Sequence, residues 1–338
     1  MKVLVTGGTG FVGSHTVVAL RGQDHDVRVL ARDPDGAGKT LAAIGMGDAE
    51  VVEGDVTDRP SVERAVSGCD AVLHAAGRYS FDVRESRRIQ EVNVQGTEHV
   101  LGAAVDAHLD PIVHVSSYVA LLPQRDQVLT PDSPVGRPKG AYAASKAAAE
   151  AVARRHQEAG APVVVVQLGT VLGPNDPQIG VNTHMMIGAV KSAVGMRGGG
   201  PFVDVRDVAG TLAAAVRTGR GPKRYMATGW YLDFVDLLRI VDEVTGRERK
   251  LSVMPTVFAK AFGSGADLVA RISRRPMPLS YADAWITSLA PRCDDSRTRE
   301  ELDVEPRDIR ATVRDTLRWL AEDGHIQLPE APDDRGRG

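Results

Sequence analysis

The sequence predicts an α/β fold in which helices cover both faces of a doubly wound parallel sheet, with a smaller C-terminal substrate lobe. Short apolar, β-branched runs alternate with stretches of helical length through the first half of the chain. Several runs, such as PVVVVQ at 162–167, are apolar at every position, as expected for strands buried on both faces. The first run leads through the glycine-rich turn of KVLVTGGTGFVG into a helical pattern, which is typical of a βαβ unit.

Six strands follow from these runs, at 3–6, 27–31, 51–53, 71–75, 112–116 and 162–166. The longest helices are predicted at 87–108 and 140–160, because both segments lack internal proline and are alanine-rich or amphipathic. These elements make up a first domain at 1–167.

The alternation stops near residue 167, where loops such as LGPNDPQIG begin a second lobe, assigned to 168–202 and 230–325. Residues 203–229 are expected to return to the first domain, because PFVDVRDVAGTLAAAV leads from an extended segment into a helix. The polar, proline-containing tail at 326–338 is expected to be disordered.

Composition excludes several classes of protein. The chain has 338 residues, of which 43% are hydrophobic and 25% charged, as in ordinary globular proteins. A net charge of −3 gives no broad basic field, so neither nucleic acid nor a membrane is expected as a partner. Cys69 and Cys293 lack metal-ligand spacing, so neither a metal site nor a disulfide framework is expected. With no leader pattern and no long apolar run, we expect a cytoplasmic protein.

Gly7, Gly10 and Gly13 recur at every third position of the turn after the first strand. Glycine lets the backbone turn sharply and approach a pyrophosphate, and the N–H groups that open the next helix favour its negative charge. We therefore expect a dinucleotide to bind against these glycines and the helix start at Phe11 and Val12. The alternative is a tight strand–helix turn without a ligand.

The end of the second strand, VRVLARDP, indicates which dinucleotide is bound. An NAD-binding chain tends to carry an acidic residue there, whereas this one has Ala31 followed by Arg32. A guanidinium pairs with the 2′-phosphate of NADP through two donors, so NADP is favoured, although the adjoining Asp33 leaves NAD possible. Downstream, Asp55 and Val56 are expected to meet the adenine; an ordinary turn aspartate is the alternative for Asp55.

The chemistry is expected from AYAASKAAAE, where Tyr142 and Lys146 lie four residues apart and project from one helix face. A nearby ammonium and a positive nicotinamide ring would lower the tyrosine pKa, so that the pair could transfer protons. Ser117, preferred to Ser116, ends the preceding strand and would hydrogen-bond a substrate oxygen. Taken alone, a surface Tyr–Lys pair and a polar strand end explain these residues as well.

With TGGTGFVG, GDVTD, HAAG, NVQGT, VSS, YAASK and VDVRDVA in this order, the chain resembles the extended short-chain dehydrogenase/reductase superfamily. The resemblance is to its NAD-dependent epimerase/dehydratase and dihydroflavonol-reductase-like part, and spans nearly the whole chain. It implies a Rossmann domain that binds NAD(P), and it makes a homodimer possible. The residues that it implies are catalytic Ser117, Tyr142, Lys146 and Asn93, cofactor contacts from Tyr142 and Lys146, and backbone along the cofactor at Ala75, Ala76 and Gly77.

The loop after the fourth strand carries Tyr79 and Phe81, which we expect to line a substrate pocket with Ser117. Many sugar-modifying members of the superfamily carry an Arg-Pro pair where this chain has Gln167 and Leu168, which disfavours a nucleotide-sugar substrate. We therefore expect an NADP-dependent oxidoreductase that reduces a carbonyl, or oxidises a secondary alcohol, of a small molecule. The alternatives are an NAD(P)-dependent nucleotide-sugar epimerase/dehydratase and a non-catalytic cofactor-binding sensor.

Overall fold

The computed structural model describes residues 1–80, 83–124, 128–273 and 280–328. Within these ranges the strands are β1 (Lys2–Thr6), β2 (Asp26–Ala31), β3 (Glu50–Glu53), β4 (Ala71–His74), β5 (Ile112–Ser117), β6 (Val128–Leu129), β7 (Val163–Leu168), β8 (Thr170–Leu172), β9 (Val194–Met196), β10 (Gly199–Asp204), β11 (Lys223–Ala227), β12 (Trp230–Asp233), β13 (Ser252–Met254) and β14 (Arg292–Cys293). The helices are α1 (Phe11–Arg21), α2 (Pro34–Ala43), α3 (Arg59–Val66), α4 (Ser86–Gln90), α5 (Gly96–Asp106), α6 (Ala141–Glu158), α7 (Val181–Lys191), α8 (Val205–Ala215), α9 (Phe234–Thr245), α10 (Thr256–Ser273), α11 (Tyr281–Leu289), α12 (Ser296–Leu302) and α13 (Ile309–Glu322).

Seven parallel strands form the central sheet in the order β11–β7–β5–β4–β1–β2–β3. The chain starts at β1, moves outward through β2 to β3, and crosses back to place β4 on the other side of β1. This reversal opens a crevice at the C-terminal ends of β1 and β4, where ligands bind in open parallel sheets. The predicted doubly wound α/β fold is confirmed.

Alternate residues of each strand face two different apolar cores. Val3 and Val5 of β1 pack in the core beneath α1 and α8, whereas Leu4 packs with Val62 of α3 and Val100 of α5 on the opposite face. All five side chains are fully buried. Burial on both faces is why the strand sequences are apolar throughout rather than alternating.

The predicted strands and helices are found with two differences. Each predicted strand is present within two residues of its expected ends, and the helix predicted at 140–160 is α6. The helix predicted at 87–108 is interrupted, because the π-helical turn Glu91–Gln95 separates α4 from α5. The prediction of the longest helices also misses α10, which has 18 residues like α6 but contains Gly263 and Gly265, which weaken a helical pattern.

The chain passes several times between the central sheet and the smaller lobe. Three of these connections pass side by side: the one after β7 at Gly169, the passage from β10 into α8, and the one after β11 at Gly229. The segment between the start of α8 and Gly229 belongs mostly to the first domain, because α8 packs against α1 and β11 pairs with β7. β10, in contrast, pairs with β8 and β12 in a separate three-stranded sheet.

A further apolar core lies between α7, α9 and α13 and extends to Ile326, which is 6% exposed. The chain is therefore packed at the start of the segment 326–338, for which we expected disorder; residues 329–338 lie outside the described residues. In the described ranges, no helix is both long and apolar enough to cross a bilayer. Those ranges also contain no cluster of three potential metal ligands, and Cys69 and Cys293 are both free.

Candidate active site

The glycine turn between β1 and α1 forms the floor of the crevice. Gly7 has a φ of +73°, which L side chains rarely adopt, and a Cβ there would lie 2.7 Å from the Cα of Ala76. A Cβ on Gly13 would lie 2.0 Å from the carbonyl oxygen of Gly7. The turn, the start of α1 and the loop after β4 are therefore in direct backbone contact.

The first turn of α1 offers backbone N–H groups to an anion. Gly10 is its N-cap residue and has no side chain to bond those groups. Gly7 and Gly10 line the cleft above, whereas the side chains of Phe11 and Val12 pack against the core below. Phe11 and Val12 can therefore meet a cofactor only through their backbone.

A cleft of about 1650 Å³ runs from this turn across the sheet edge and into the smaller lobe. The residues predicted for the site that line it are Gly7, Gly10, Arg32, Asp55, Val56, Ala75, Ala76, Gly77, Tyr79 and Tyr142. Gly13, Asn93, Ser117 and Lys146 are not on the lining and contribute through the contacts given below, and Phe81 lies outside the described residues. The glycine cradle, which a single Cβ would fill, fits the pyrophosphate of a dinucleotide.

Arg32 stands at the end of β2 with its side chain on the cleft. The neighbouring Asp33 is occupied as the N-cap of α2, where its carboxylate accepts a hydrogen bond of 3.1 Å from the Gly36 N–H. Arg32 itself has no ion pair with another side chain in the described part of the chain. A guanidinium without an ion-pair partner can bind an anionic group of a ligand in the cleft.

Asp55 lines the cleft and is held by Thr57. Its Oδ1 accepts hydrogen bonds of 2.9 Å from both the N–H and the hydroxyl of Thr57. Burial acts to raise the pKa of Asp55, but the bonds from Thr57 and the charges of Arg88 and Arg32 lower it overall. Arg88 of α4 reaches Asp55 Oδ2 at 3.4 Å and lines the cleft. Sequence reasoning missed Arg88, because nothing local shows that α4 faces this end of the cleft.

Tyr142, Ser117 and Lys146 meet at the other end of the cofactor cleft. Tyr142 is in the first turn of α6, with its hydroxyl near that of Ser117 at the end of β5. The Ser117 hydroxyl itself donates a 3.4 Å hydrogen bond to the Leu168 carbonyl. Lys146 lies one turn further along α6, where its Nζ donates a hydrogen bond of 3.1 Å to the Val115 carbonyl. Ser116 faces away, with a buried hydroxyl that has no partner in the described structure. The Tyr79 ring lies 4.2 Å from the Tyr142 ring and covers it.

The protonation of this pair differs from the expectation. Burial raises the pKa of Tyr142, and the neighbouring Ser117 hydroxyl only partly offsets this effect. Burial lowers the pKa of Lys146 itself from 10.5 to about 8, against the opposing charge of Glu150. The Tyr142 side chain is therefore held as a neutral phenol that can donate a proton.

Asn93 ties the loop after β4 to α6. It lies in the π-helical turn, and its amide donates hydrogen bonds of 2.9 Å to the Ser145 hydroxyl and 3.1 Å to the Arg78 carbonyl. Its Oδ1 accepts a 2.7 Å bond from the Arg78 N–H. Ser145 in turn donates to the Tyr142 carbonyl at 2.6 Å. Asn93 is thus a positioning residue, and Ser145 is a second one that sequence reasoning missed.

The wall of the cleft formed by the smaller lobe is largely apolar. Its large apolar side chains are Ile179, Met185, Met196, Phe234, Leu237, Leu238 and Ile286. Two carboxylates, Asp267 and Asp283, also line it, and burial raises the pKa of Asp283 to about 6 against its bonds from Ser280. No lysine or arginine of this lobe lines the cleft in the described ranges.

The lowered pKa of Lys146 predicts how stability changes with pH. Between about pH 8 and 10.5 the folded chain holds fewer protons at Lys146 than the unfolded chain does. The unfolding free energy of the wild type should therefore rise relative to that of Lys146→Met as pH increases through this window. Urea denaturation across the window measures it, with Lys39→Met, on the exposed side of α2, as the control. A difference between wild type and Lys146→Met that falls with pH would contradict the burial of this ammonium.

Comparisons with known proteins identify the family of the chain. The model of the NAD dependent epimerase/dehydratase family matches residues 3–227. Sterol demethylase protein B of Methylococcus capsulatus is 28% identical over 332 residues, covering 96% of this chain and 100% of that protein. A 4-hydroxy-2-methyl-3-oxo-4-farnesyl-3,4-dihydroquinoline-1-oxide ketoreductase of Stigmatella aurantiaca is 28% identical over 342 residues, covering 97% of this chain and 99% of that protein.

Among solved structures, the crystal structure of gox2253 matches with a TM-score of 0.82 at 26% identity, covering 96% of this chain and 99% of that one. The family match includes the glycine turn, the Ser–Tyr–Lys set and β11, which closes the central sheet. The resemblance drawn from the motifs is confirmed. The chain therefore belongs to the NAD dependent epimerase/dehydratase family, among the extended short-chain dehydrogenases/reductases, and is an NAD(P)-dependent oxidoreductase.

Proposed function

We propose that the chain uses NADP to reduce a ketone or aldehyde, or to oxidise the corresponding alcohol, with Tyr142 as the proton donor. The observation that carries the proposal is that the Tyr142 hydroxyl lies on the cleft, near Ser117 and one helical turn from Lys146. Two hydroxyls in this arrangement can both bind one carbonyl oxygen.

Each residue has a distinct task in this proposal. The hydroxyls of Ser117 and Tyr142 bind the substrate oxygen, and Tyr142 donates its proton to that oxygen as the carbonyl is reduced. A bound reduced nicotinamide supplies the hydride for this chemistry. Lys146 binds the nicotinamide-ribose hydroxyls, and its charge favours the phenolate that Tyr142 becomes. Asn93 keeps the Arg78 backbone and α6 in register.

The substrate that suits the cleft is apolar and carries no phosphate. Among the large apolar side chains of the lobe wall, six are aliphatic or thioether groups and the seventh is Phe234, beside the polar Gln178, Asn182 and His184. Asp267 and Asp283 add negative charge, which repels an anionic substrate. Small ketones with an extended hydrocarbon part are therefore the first compounds to screen.

The epimerase/dehydratase reading is the second candidate, because the family model that matches the chain carries that description. In such a reaction hydride leaves and returns to one substrate, so no net cofactor is consumed. The diphosphate of a nucleotide sugar needs basic partners, and in the described ranges the lobe wall offers His184 but no lysine or arginine. A non-catalytic sensor is disfavoured because it has no need for the Tyr142–Ser117 pair. Net oxidation of NADPH by a ketone separates the first reading from both others.

Replacing Arg32 with alanine is expected to weaken NADPH binding on the order of 10–100-fold, the value of a charge-assisted bond to phosphate. NADH binding should change little, because NADH lacks the 2′-phosphate. Titration followed by nicotinamide fluorescence measures both affinities. Arg318→Ala, an exposed arginine on α13, is the matched control. A wild type that prefers NADH, or that retains NAD through purification, would contradict the Arg32 argument and favour the epimerase/dehydratase reading.

A further inference from the structure

One arginine on the cleft has no task in the proposed reaction. Arg88 of α4 lines the cleft, and its side chain is 40% exposed. Its two hydrogen bonds are long, because Nη2 donates to Asp55 Oδ2 at 3.4 Å and Nη1 donates to Glu91 Oε2 at 3.5 Å. The preceding residue, Arg87, donates to Glu91 Oε1 at 2.9 Å and is 93% exposed. The Arg88 guanidinium is therefore only loosely engaged by other groups of the chain.

The position of Asp55 shows which end of the cleft Arg88 borders. Asp55 follows β3, and Arg32 follows β2, the strand that pairs with β3 in parallel. The Gly54 N–H donates a hydrogen bond of 3.0 Å to the Ala31 carbonyl, so the two chains leave the sheet side by side. Arg88 joins them from α4. It therefore stands at the ends of β2 and β3.

This end of the cleft lies opposite to the catalytic end. The glycine turn follows β1, which has β2 and β3 on one side and β4 and β5 on the other. Tyr142 lies near Ser117 at the end of β5. A dinucleotide with its pyrophosphate on the glycine turn and its nicotinamide beside Tyr142 must therefore place its adenosine at the ends of β2 and β3.

The lining at the ends of β2 and β3 suits a flat base. Its apolar members are Leu30, Ala31, Val56 and Val92. Leu30 and Val56 are only 6% and 8% exposed, so their side chains are held by the core beneath. Arg88 lines the cleft together with this apolar group. A planar guanidinium stacks on aromatic rings, which an ammonium cannot do.

We propose that Arg88 is a cofactor-binding residue whose guanidinium packs on the adenine ring. Its bond to Asp55 keeps the guanidinium at this end of the cleft. The task differs from that of Arg32, because adenine is common to NADP and NAD whereas the 2′-phosphate is not. The inference rests on NAD(P) binding by the chain, and it depends neither on the proposed preference for NADP nor on the proposed reaction.

Titration of the full chain with NADPH, NADH and 5′-AMP tests the proposal, with calorimetry as the measurement. Arg88→Ala should weaken the binding of all three by about 3–30-fold, the value of a guanidinium–ring contact. The binding of reduced nicotinamide mononucleotide, which has no adenosine, should not change. Arg88→Lys keeps the charge but not the planar group, so it should weaken the binding of the same three ligands. Arg87→Ala, on the same helix, is the matched control and should keep every affinity.

Three results would overturn the proposal. The first is an unchanged affinity of Arg88→Ala for NADPH and NADH, which would leave Arg88 as an ion-pair partner of Asp55 and Glu91 alone. The second is a loss for NADPH without a loss for NADH, which would make Arg88 a contact of the 2′-phosphate. The third is wild-type affinity in Arg88→Lys, which would show that the charge suffices.

Two further measurements separate the proposal from other causes of weak binding. Thermal unfolding verifies that the Arg88 variants are folded. Ketone reduction by the wild type is measured on its own, and the ratio of its NADPH and NADH affinities gives the cofactor preference. Failure of the proposed function is therefore seen in the wild type, whereas failure of the adenine contact is seen only in the variants.

Discussion

Replacing Tyr142 with phenylalanine should lower turnover by on the order of 10²–10⁴-fold while leaving NADPH affinity nearly unchanged. The substitution removes only the hydroxyl, which is the proton donor of the proposed reaction and lies near Ser117. The ring contact with Tyr79 at 4.2 Å would persist, so the cleft keeps its shape. Steady-state kinetics with an apolar ketone and fluorescence titration with NADPH measure the two effects.

The matched control for this variant is Tyr231→Phe. Tyr231 lies on β12 away from the cleft lining, and its hydroxyl donates a 3.3 Å hydrogen bond to Asp233. The Tyr231→Phe substitution should therefore leave turnover unchanged. Loss of NADPH binding in Tyr142→Phe would contradict the division of tasks between Tyr142 and Lys146. Turnover near the wild-type rate would contradict proton donation by Tyr142.

Replacing Gly13 with alanine should lower both the stability of the chain and its affinity for NADPH. The added Cβ would lie 2.0 Å from the Gly7 carbonyl oxygen, and backbone cannot move aside as a flexible side chain can. Such overpacking costs about 1–3 kcal/mol of stability. Relief of the clash would move α1 away from the turn, and a displacement of about 1 Å in a positioning element can cost about 10²-fold in rate. Thermal unfolding and NADPH titration should both report the change.

Gly38→Ala gives the comparison for Gly13→Ala. Gly38 lies in α2, where an added Cβ would meet no atom within 4 Å. Alanine should stabilise that helix by about 0.5–1 kcal/mol without any effect on NADPH binding. If Gly13→Ala kept the wild-type melting temperature and affinity, α1 would not be packed against the turn as described.

The fold could be predicted because the six predicted strands are short, mostly apolar and bounded by clear turns. The same holds for Gly7, Gly13, Tyr142 and Lys146, whose spacing within one element sets their geometry. The seventh strand of the central sheet, β11, was missed because its sequence KRYMA begins with two charged residues. Residues brought in by tertiary contacts could not be predicted. Arg88 reaches Asp55 only because α4 folds over the cleft, and the lobe wall gathers side chains from α7, α9 and α11.

Two further misses have local physical causes. The π-helical turn around Asn93 has no propensity signal, because its extra residue is favoured only by the bonds to Arg78 and Ser145. The upward shift of the Tyr142 pKa comes from burial by Tyr79 and the lobe, and these groups lie outside the Tyr–Lys motif. In both cases the decisive interaction spans elements far apart in sequence.

The three connections that pass side by side between sheet and lobe limit which residues the chain can carry there. A Cβ on Gly169 would lie 3.1 Å from the carbonyl oxygens of Pro201 and Thr228, and one on Gly229 would lie 2.4 Å from that of Phe202. Each glycine leaves room for the backbone of a neighbouring connection, so a larger residue at 169 or 229 would push two connections apart. Because these connections join the sheet to the lobe wall, such a substitution far from Tyr142 would change the width of the cleft.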